Sequence, residues 1–321
     1  MQQVAQKLRR DYLVRATVLL TVALGVTLCQ SASAQTNYNQ IALLRWYPAS
    51  NGISFAVGTS PYGIAFDGAN MWVASYGSHS ITKIRANDGA TLNTIPFTGS
   101  PYYLAFDGSN IWAPMGNVVA KIRARDATVL ATYPVGNYAF GVAFDGTNIW
   151  VTNGYDNTVN KLRASDGAIL ATIPVGAFPS YLAFDGSNIW VSNTNGSSVT
   201  QVRASDGTVI NTFSESVPAG LAFDGANIWI VNEYANTVTE RRVSDGTVLG
   251  RFVCPYEPYG ITFDGANIWV GNYGANSVSR FRVSDGTLLG IYPTQAGPIG
   301  LAFDGANIWV TNTISGTVSK M

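Results

Sequence analysis

The sequence predicts an all-β protein, a seven-bladed β-propeller with four antiparallel strands per blade. Three observations predict it. First, seven tryptophans (Trp72, Trp112, Trp150, Trp190, Trp229, Trp269 and Trp309) recur at gaps of 38 to 40 residues, each in a near copy of Phe-Asp-Gly-Ala-Asn-Ile-Trp-Val. A period of about 40 with several short strands per unit is the mark of a propeller blade. Second, Gly and Pro punctuate the whole chain with β-branched residues between them, which argues against long helices. Third, the last unit stops at Val318-Ser319-Lys320-Met321, where its fourth strand is due, and residues 49–58 match 164–173 in pattern. The start of the chain therefore supplies the closing strand, and a closed ring leaves no open sheet edge.

The third unit shows how one repeat makes one blade. Residues 141–144 form a short apolar strand, and Asp145-Gly146-Thr147-Asn148 turns it back. Residues 149–152 make the second strand, and Gly154 to Asn157 form a loop. Residues 158–163 alternate apolar and polar, the period of a half-buried strand. Ser165-Asp166-Gly167 is a second tight turn, and residues 169–173 are the fourth strand. Asp-Gly suits such turns because Asp bonds nearby amides and Gly accepts a left-handed backbone. The recurring turn acids from Asp67 to Asp304 are accordingly read as turn chemistry; a calcium loop needs more oxygens than Asp-Gly-x-Asn supplies.

Residues 1–34 read as a secretory signal peptide. Lys7, Arg9, Arg10 and Arg15 open it, an apolar run follows from Ala16 to Leu28, and Ala32-Ser33-Ala34 is a small-x-small cleavage site. Cleavage after Ala34 leaves residues 35–321 as a single propeller domain, secreted or periplasmic, with no transmembrane segment. That portion carries 15 basic and 18 acidic residues, net −3, a balance that argues against nucleic acid as a partner. Only Cys254 remains, so no internal disulfide forms; the thiol is expected to be buried.

The units resemble the propellers with NHL-like or YVTN-like repeats, carried by Gly-[Ile/Leu/Val]-Ala-Phe-Asp-Gly-x-Asn-Ile-Trp-Val followed by Asn-[Thr/Ser]-Val-x-Lys-[Ile/Leu]-Arg-Ala-Ser-Asp-Gly over residues 41–321. Within that group the chain is similar to streptogramin lyases and to secreted YncE-like proteins. The resemblance implies seven blades, a central channel and a ligand face made by the longer loops. Streptogramin-type lyases rely on a histidine with glutamates and magnesium; here one histidine, His79, stands without a nearby Glu, and no catalytic residue is carried over.

The repeats differ from one another on the face opposite the Asp-Gly turns. That face collects Tyr62, Tyr76, His79, Tyr102, Tyr103, Tyr138, Tyr155, Tyr181, Tyr234, Tyr259 and Tyr273 as candidate ligand-binding residues, with Phe140, Phe178 and Tyr256 beside them. Aromatics on loops suit stacking on a ligand, and they equally suit plugging a channel. Glu215, Glu233 and Glu257 flank the fifth unit, as solvated loop acids or as a Ca²⁺ or Mg²⁺ site. No other cofactor is implied. The recurring Asn153, Asn193, Asn232, Asn272 and Asn312 are expected to satisfy loop backbone groups, and Lys-x-Arg pairs such as Lys83/Arg85 to face water. In the second unit the middle loop Met115-Gly116-Asn117 is two residues short and Arg125-Asp126-Ala127 lacks the glycine, so that turn is expected to change type.

Three function classes follow. The favoured one is a non-catalytic binding or scaffold propeller recognising a glycan, peptide or protein partner through the aromatic loop face. The others are a metal-dependent lyase or lactonase-type enzyme and a structural component of an envelope or extracellular assembly.

Overall fold

The computed structural model describes residues 53–321. Residues 1–34, expected to be a signal peptide, and residues 35–52 lie outside the described residues. Every regular element described is a β-strand. In the fourth repeat Pro179–Phe184, Asn188–Asn193, Ser198–Arg203 and Val209–Ser214 pair in that order as an antiparallel meander, and four more sheets have the same four-stranded plan.

The blade count is six, not the expected seven. The second and third repeats share one six-stranded sheet, which holds both Trp112 and Trp150. The short loop is the cause. Gly116 takes a left-handed backbone (φ 64°), so Asn110–Arg123 passes through it as one bent strand, and the return strand runs unbroken from Thr128 to Phe144. Gly116 then pairs with Ala139, which ties the second repeat's hairpin to the third repeat's inner strand.

Closure occurs as the pattern of residues 49–58 requires. Ile53–Ala56 pairs antiparallel with Thr317–Lys320, Phe55 opposite Val318, beside the C-terminal strands. Phe55 stacks on Trp309 with ring centroids 5.6 Å apart. Inner strands Pro61–Phe66 and Pro298–Phe303 pack against each other across the seam, where Thr311 Oγ1 donates to the carbonyl of Tyr62 at 2.7 Å.

The recurring motif has one physical explanation. In Asp67-Gly68-Ala69-Asn70-Met71-Trp72, Asp67 Oδ1 accepts the amides of Ala69 and Asn70, and Oδ2 accepts the Trp72 indole N–H at 2.8 Å. The same indole-to-carboxylate bond forms at all seven tryptophans. Six of the seven indoles are fully buried, and Trp269 is nearly so. A buried indole N–H without an acceptor is costly, so the acid and the tryptophan recur together.

The lysines correct the sequence expectation. Lys83, Lys121, Lys161 and Lys320 do not face water; each lies over its own repeat's Trp ring and donates to the carbonyl of Ala124, Ala164, Ala204 or Ala86 in the next repeat. Each stem and ammonium thus spans the gap between repeats, combining cation–π attraction with a charge-assisted bond. The arginine two residues on is the exposed one, as in the Arg85–Asp88 pair at 2.8 Å. Ala127 keeps φ 61°, so the second repeat's turn does not change type and an alanine bears the left-handed strain instead.

Candidate ligand-binding basin

The two faces separate as expected. Ala86 N–H bonds Ala69 O, which joins the two Asp-Gly turns on one side. Gly154 N–H bonds Tyr138 O, which joins the middle and connecting loops on the other. The inner strands begin on that second face with two residues that determine the axis: Tyr62-Gly63, Tyr102-Tyr103, Phe140-Gly141, Ser180-Tyr181, Ala219-Gly220, Tyr259-Gly260 and Ile299-Gly300.

Glycine holds the second of these positions because the neighbouring inner strand passes there; a Cβ on Gly63 or Gly260 would collide with the carbonyl of Tyr102 or Ile299. Two repeats carry tyrosine instead. Tyr103 and Tyr181 meet over the axis, with Tyr103 Oη donating to Tyr181 Oη at 2.9 Å. Burial holds both phenols well above the ordinary tyrosine range. They plug the channel above a cavity of 160 Å³ walled by aliphatic side chains such as Ile64, Leu104 and Leu221 and by the backbone of Gly141, Gly220, Gly260 and Gly300.

Above the plug the first positions make a broken aromatic collar. Tyr102 packs at a tilt against Phe140 (4.6 Å) and Tyr76 (4.9 Å), and Tyr138 likewise against Tyr155 (4.6 Å) and Phe178 (5.3 Å). Tyr62 is 5.9 Å from Tyr102, Tyr259 is 5.9 Å from Tyr181, and Tyr273 lies 6.5 Å from Tyr259. The collar is interrupted at Ser180 and Ala219. A 230 Å³ cavity lies there, walled by Tyr62, Tyr76, Tyr102, Tyr138, Phe140, Phe178, Ser180, Tyr181, Thr194, Ala219, Glu233 and Tyr259.

Nine of the eleven aromatic-face residues expected from sequence therefore join one ring network. His79 and Tyr234 do not. His79 is exposed with φ 50°, and its Nδ1 lies 3.3 Å from Ser100 Oγ. It fills the left-handed loop position held elsewhere by Asn157, Asn236 and Asn276, whose Oδ1 atoms accept an amide from the next connecting loop. Its role is that of a turn residue. Tyr234 projects outward, 72% exposed.

The three glutamates do not converge. Glu215 is buried and paired with Arg241 Nη2 at 2.5 Å, with Arg251 Nη1 at 3.6 Å and Thr239 Oγ1 at 3.2 Å. It is a core ion pair between the fourth and fifth repeats, not a cation ligand. Among the described residues no group of three or more His, Cys, Asp or Glu is arranged to hold a metal ion. Glu233 does line the basin. Burial first, and the charge of Glu257 second, raise its carboxyl above the ordinary glutamate range.

The buried asparagines also differ from expectation. Only Asn153 takes a loop amide, from Gly136 at 3.0 Å. The others give Nδ2 to hydroxyls on the third strand, as Asn193 does to Thr200 Oγ1 at 2.8 Å. Cys254 is buried as expected, its thiol pushed up to about 12 by desolvation.

Sequence reasoning missed Ser180, Ala219 and Thr194. Their signal is a negative one: Ser180 and Ala219 are the small residues at a position that is aromatic in four repeats. Thr194 Oγ1 lies 2.8 Å from Ser180 Oγ and 2.9 Å from the carbonyl of Pro218.

Fold and site define an all-β propeller with a plugged axis and a tyrosine-walled basin on its loop face. Among solved structures the chain is similar to a streptogramin B lyase, with 19% identity over 84% of this chain and 95% of that one and a TM-score of 0.71. It is also similar to the hydrazine synthase of Kuenenia stuttgartiensis, with 16% identity over 86% and 98% and a TM-score of 0.72. At these identities the likeness is one of fold. No family model and no curated protein matches the chain.

Proposed function

We propose that this chain is a non-catalytic binding propeller that takes its ligand in the tyrosine-walled basin. One observation carries the reading. The collar places large rings at a loop position where the fold asks only for a left-handed backbone. Tyr138 and Phe178 hold φ of 60° and 55° at a position that is also left-handed in four other connections (Ser60, Val217, Glu257 and Gly297), so the fold fixes the backbone there and leaves the side chain free to be small. Ser60 and Gly297 satisfy that backbone without a ring, and large rings on loops suit a binding surface better than a scaffold. The wall offers rings, hydroxyls and one carboxylate, and His79 stands outside it. Such a surface recognises a glycan, peptide or protein group and needs no cofactor. The repeats belong, on this reading, with the NHL/YVTN kind. Residues 1–34 direct export to the periplasm or beyond, where net −3 leaves nucleic acid a poor partner.

Glycan, peptide and small-molecule arrays probed with the intact protein test the reading. Thr194→Trp fills the basin from a half-buried loop. Hits are expected to vanish in this variant while its circular dichroism is unchanged. An array without hits, or hits that survive the tryptophan, refutes the basin as the site.

A further inference from the structure

We infer that the basin takes a small organic cation, a quaternary ammonium group held against the tyrosine faces and the Glu233 carboxylate; this rests on the basin being a binding site. Three observations converge on that chemistry. Tyr62, Tyr76, Tyr102, Tyr138 and Tyr259 wall one 230 Å³ space. Their ring faces carry negative potential, and aromatic cages of this kind hold quaternary ammonium groups. Glu233 is the one charged residue lining the cavity, and no basic residue lines it, so an anion finds no counter-charge.

The hydrogen-bonding capacity of the wall is already partly used. Tyr102 Oη donates to Tyr138 Oη at 3.1 Å, and Thr194 faces Ser180 and Pro218. A sugar asks for several free donors and acceptors, whereas a quaternary ammonium asks for none. Glu233 also has a reason to accept a cation. It is half-buried beside Glu257, so its ionised form is poorly solvated and repelled. A cation in the basin relieves both costs.

The test is calorimetry with choline, with its neutral isostere 3,3-dimethyl-1-butanol, and with a peptide carrying trimethyl-lysine. Choline or the peptide is expected to bind at least roughly 10-fold more tightly than the isostere, and the tighter of the two identifies the carrier of the cation. Glu233→Gln is expected to weaken binding about 10-fold, and Tyr76→Ala about 5-fold, while Tyr76→Phe retains it because the ring face survives. Both positions are partly exposed, and thermal melts of the variants confirm folding. Equal binding of the isostere, no heat from either cation, or an unaffected Glu233→Gln variant overturns the inference. If neutral array ligands bind and are lost in Thr194→Trp while both cations fail, the cation inference falls and the binding reading stands. If nothing binds, both fall.

Discussion

The Glu215–Arg241 pair makes the sharpest energetic prediction. At five of the six other junctions these two positions are apolar or nearly so and share a cluster: Val57 with Ile84, Phe97 with Ile122, Val135 with Leu162, Val175 with Val202, and Cys254 with Phe281. Between the fourth and fifth repeats a carboxylate and a guanidinium replace that contact, with side chains 0% and 8% exposed. The Arg241 guanidinium also lies over the Phe213 ring at 4.5 Å and bonds the carbonyl of Gly246. Arg241→Leu leaves the carboxylate buried without its main partner. Loss of one member of a buried pair costs about 3–5 kcal/mol. Arg251, half exposed at 3.6 Å, and the Thr239 hydroxyl partly compensate, which places the expected loss near 3 kcal/mol. For a domain of this size that lowers Tm by roughly 6–12 °C. Glu215→Val combined with Arg241→Leu restores the apolar contact of the other repeats, and the double variant is expected within about 1 kcal/mol of the parent or above it. Urea denaturation of parent, both single variants and the double variant gives the coupling energy. A single variant that loses under 1 kcal/mol, or a double variant as unstable as the worse single, refutes the argument.

Four further outcomes are expected. Ala127→Gly relieves a left-handed alanine and should raise stability by about 0.5–1 kcal/mol, read as a higher urea midpoint. Phe55→Ala removes the stack on Trp309 and should cost about 2 kcal/mol, half the value of a fully buried Phe because Phe55 is partly exposed; an unchanged melt would contradict closure through this strand. Asp67, Asp107, Asp145 and Asp304 have lowered pKa values: burial pushes them up, and the indole and amide bonds more than offset it. Their stabilisation is therefore full above the unfolded carboxylate value of about 3.9 and is lost as pH falls through the lowered folded values, so urea midpoints should be flat from pH 7 to 5 and drop below about pH 4. Lys161→Met keeps packing over Trp150 but deletes the bonds to Ala204 and Ser205, and should cost about 1–2 kcal/mol in the same assay.

The fold was legible because each repeat states it again. Asp-Gly turns, alternating third strands and a strand-like segment at residues 49–58 together specify a meander blade and a ring joined head to tail. The blade count was not legible, because it depends on whether the backbone hydrogen bonds of two neighbouring repeats run together. A loop two residues shorter and one left-handed Gly116 decide that, and no side-chain pattern marks it. The lysines misled for a related reason. Period-two alternation says which residues share a face; it does not say that this face is covered by the next blade. Lys83 is buried on the same side as exposed Arg85 because the Ala124 and Arg125 carbonyls of the next repeat receive its ammonium, whereas Arg85 pairs with Asp88 of its own turn. Glu215 looked like its loop neighbours in sequence, since its partner Arg241 lies 26 residues away.

Comparison among the repeats locates the basin more sharply than composition does. A position that must be glycine for packing tells nothing about ligands, because any propeller of this spacing would need it. Tyr103 and Tyr181 break that rule, and their phenols meet over the axis and close the channel. Ser180 and Ala219 break the aromatic rule one layer above and open a gap in the collar. The two substitutions are not independent in space: Ser180 directly precedes Tyr181, so the same turn of chain that seals the axis also opens the basin. A scaffold selected for stability alone has no use for that pairing, since filling Ser180 and Ala219 with Tyr or Phe would extend the row of ring contacts seen at Tyr62, Tyr102 and Phe140 and bury more ring surface. The gap is therefore the part of this molecule that packing does not explain, and it is bordered by Glu233, the one charged residue in the wall.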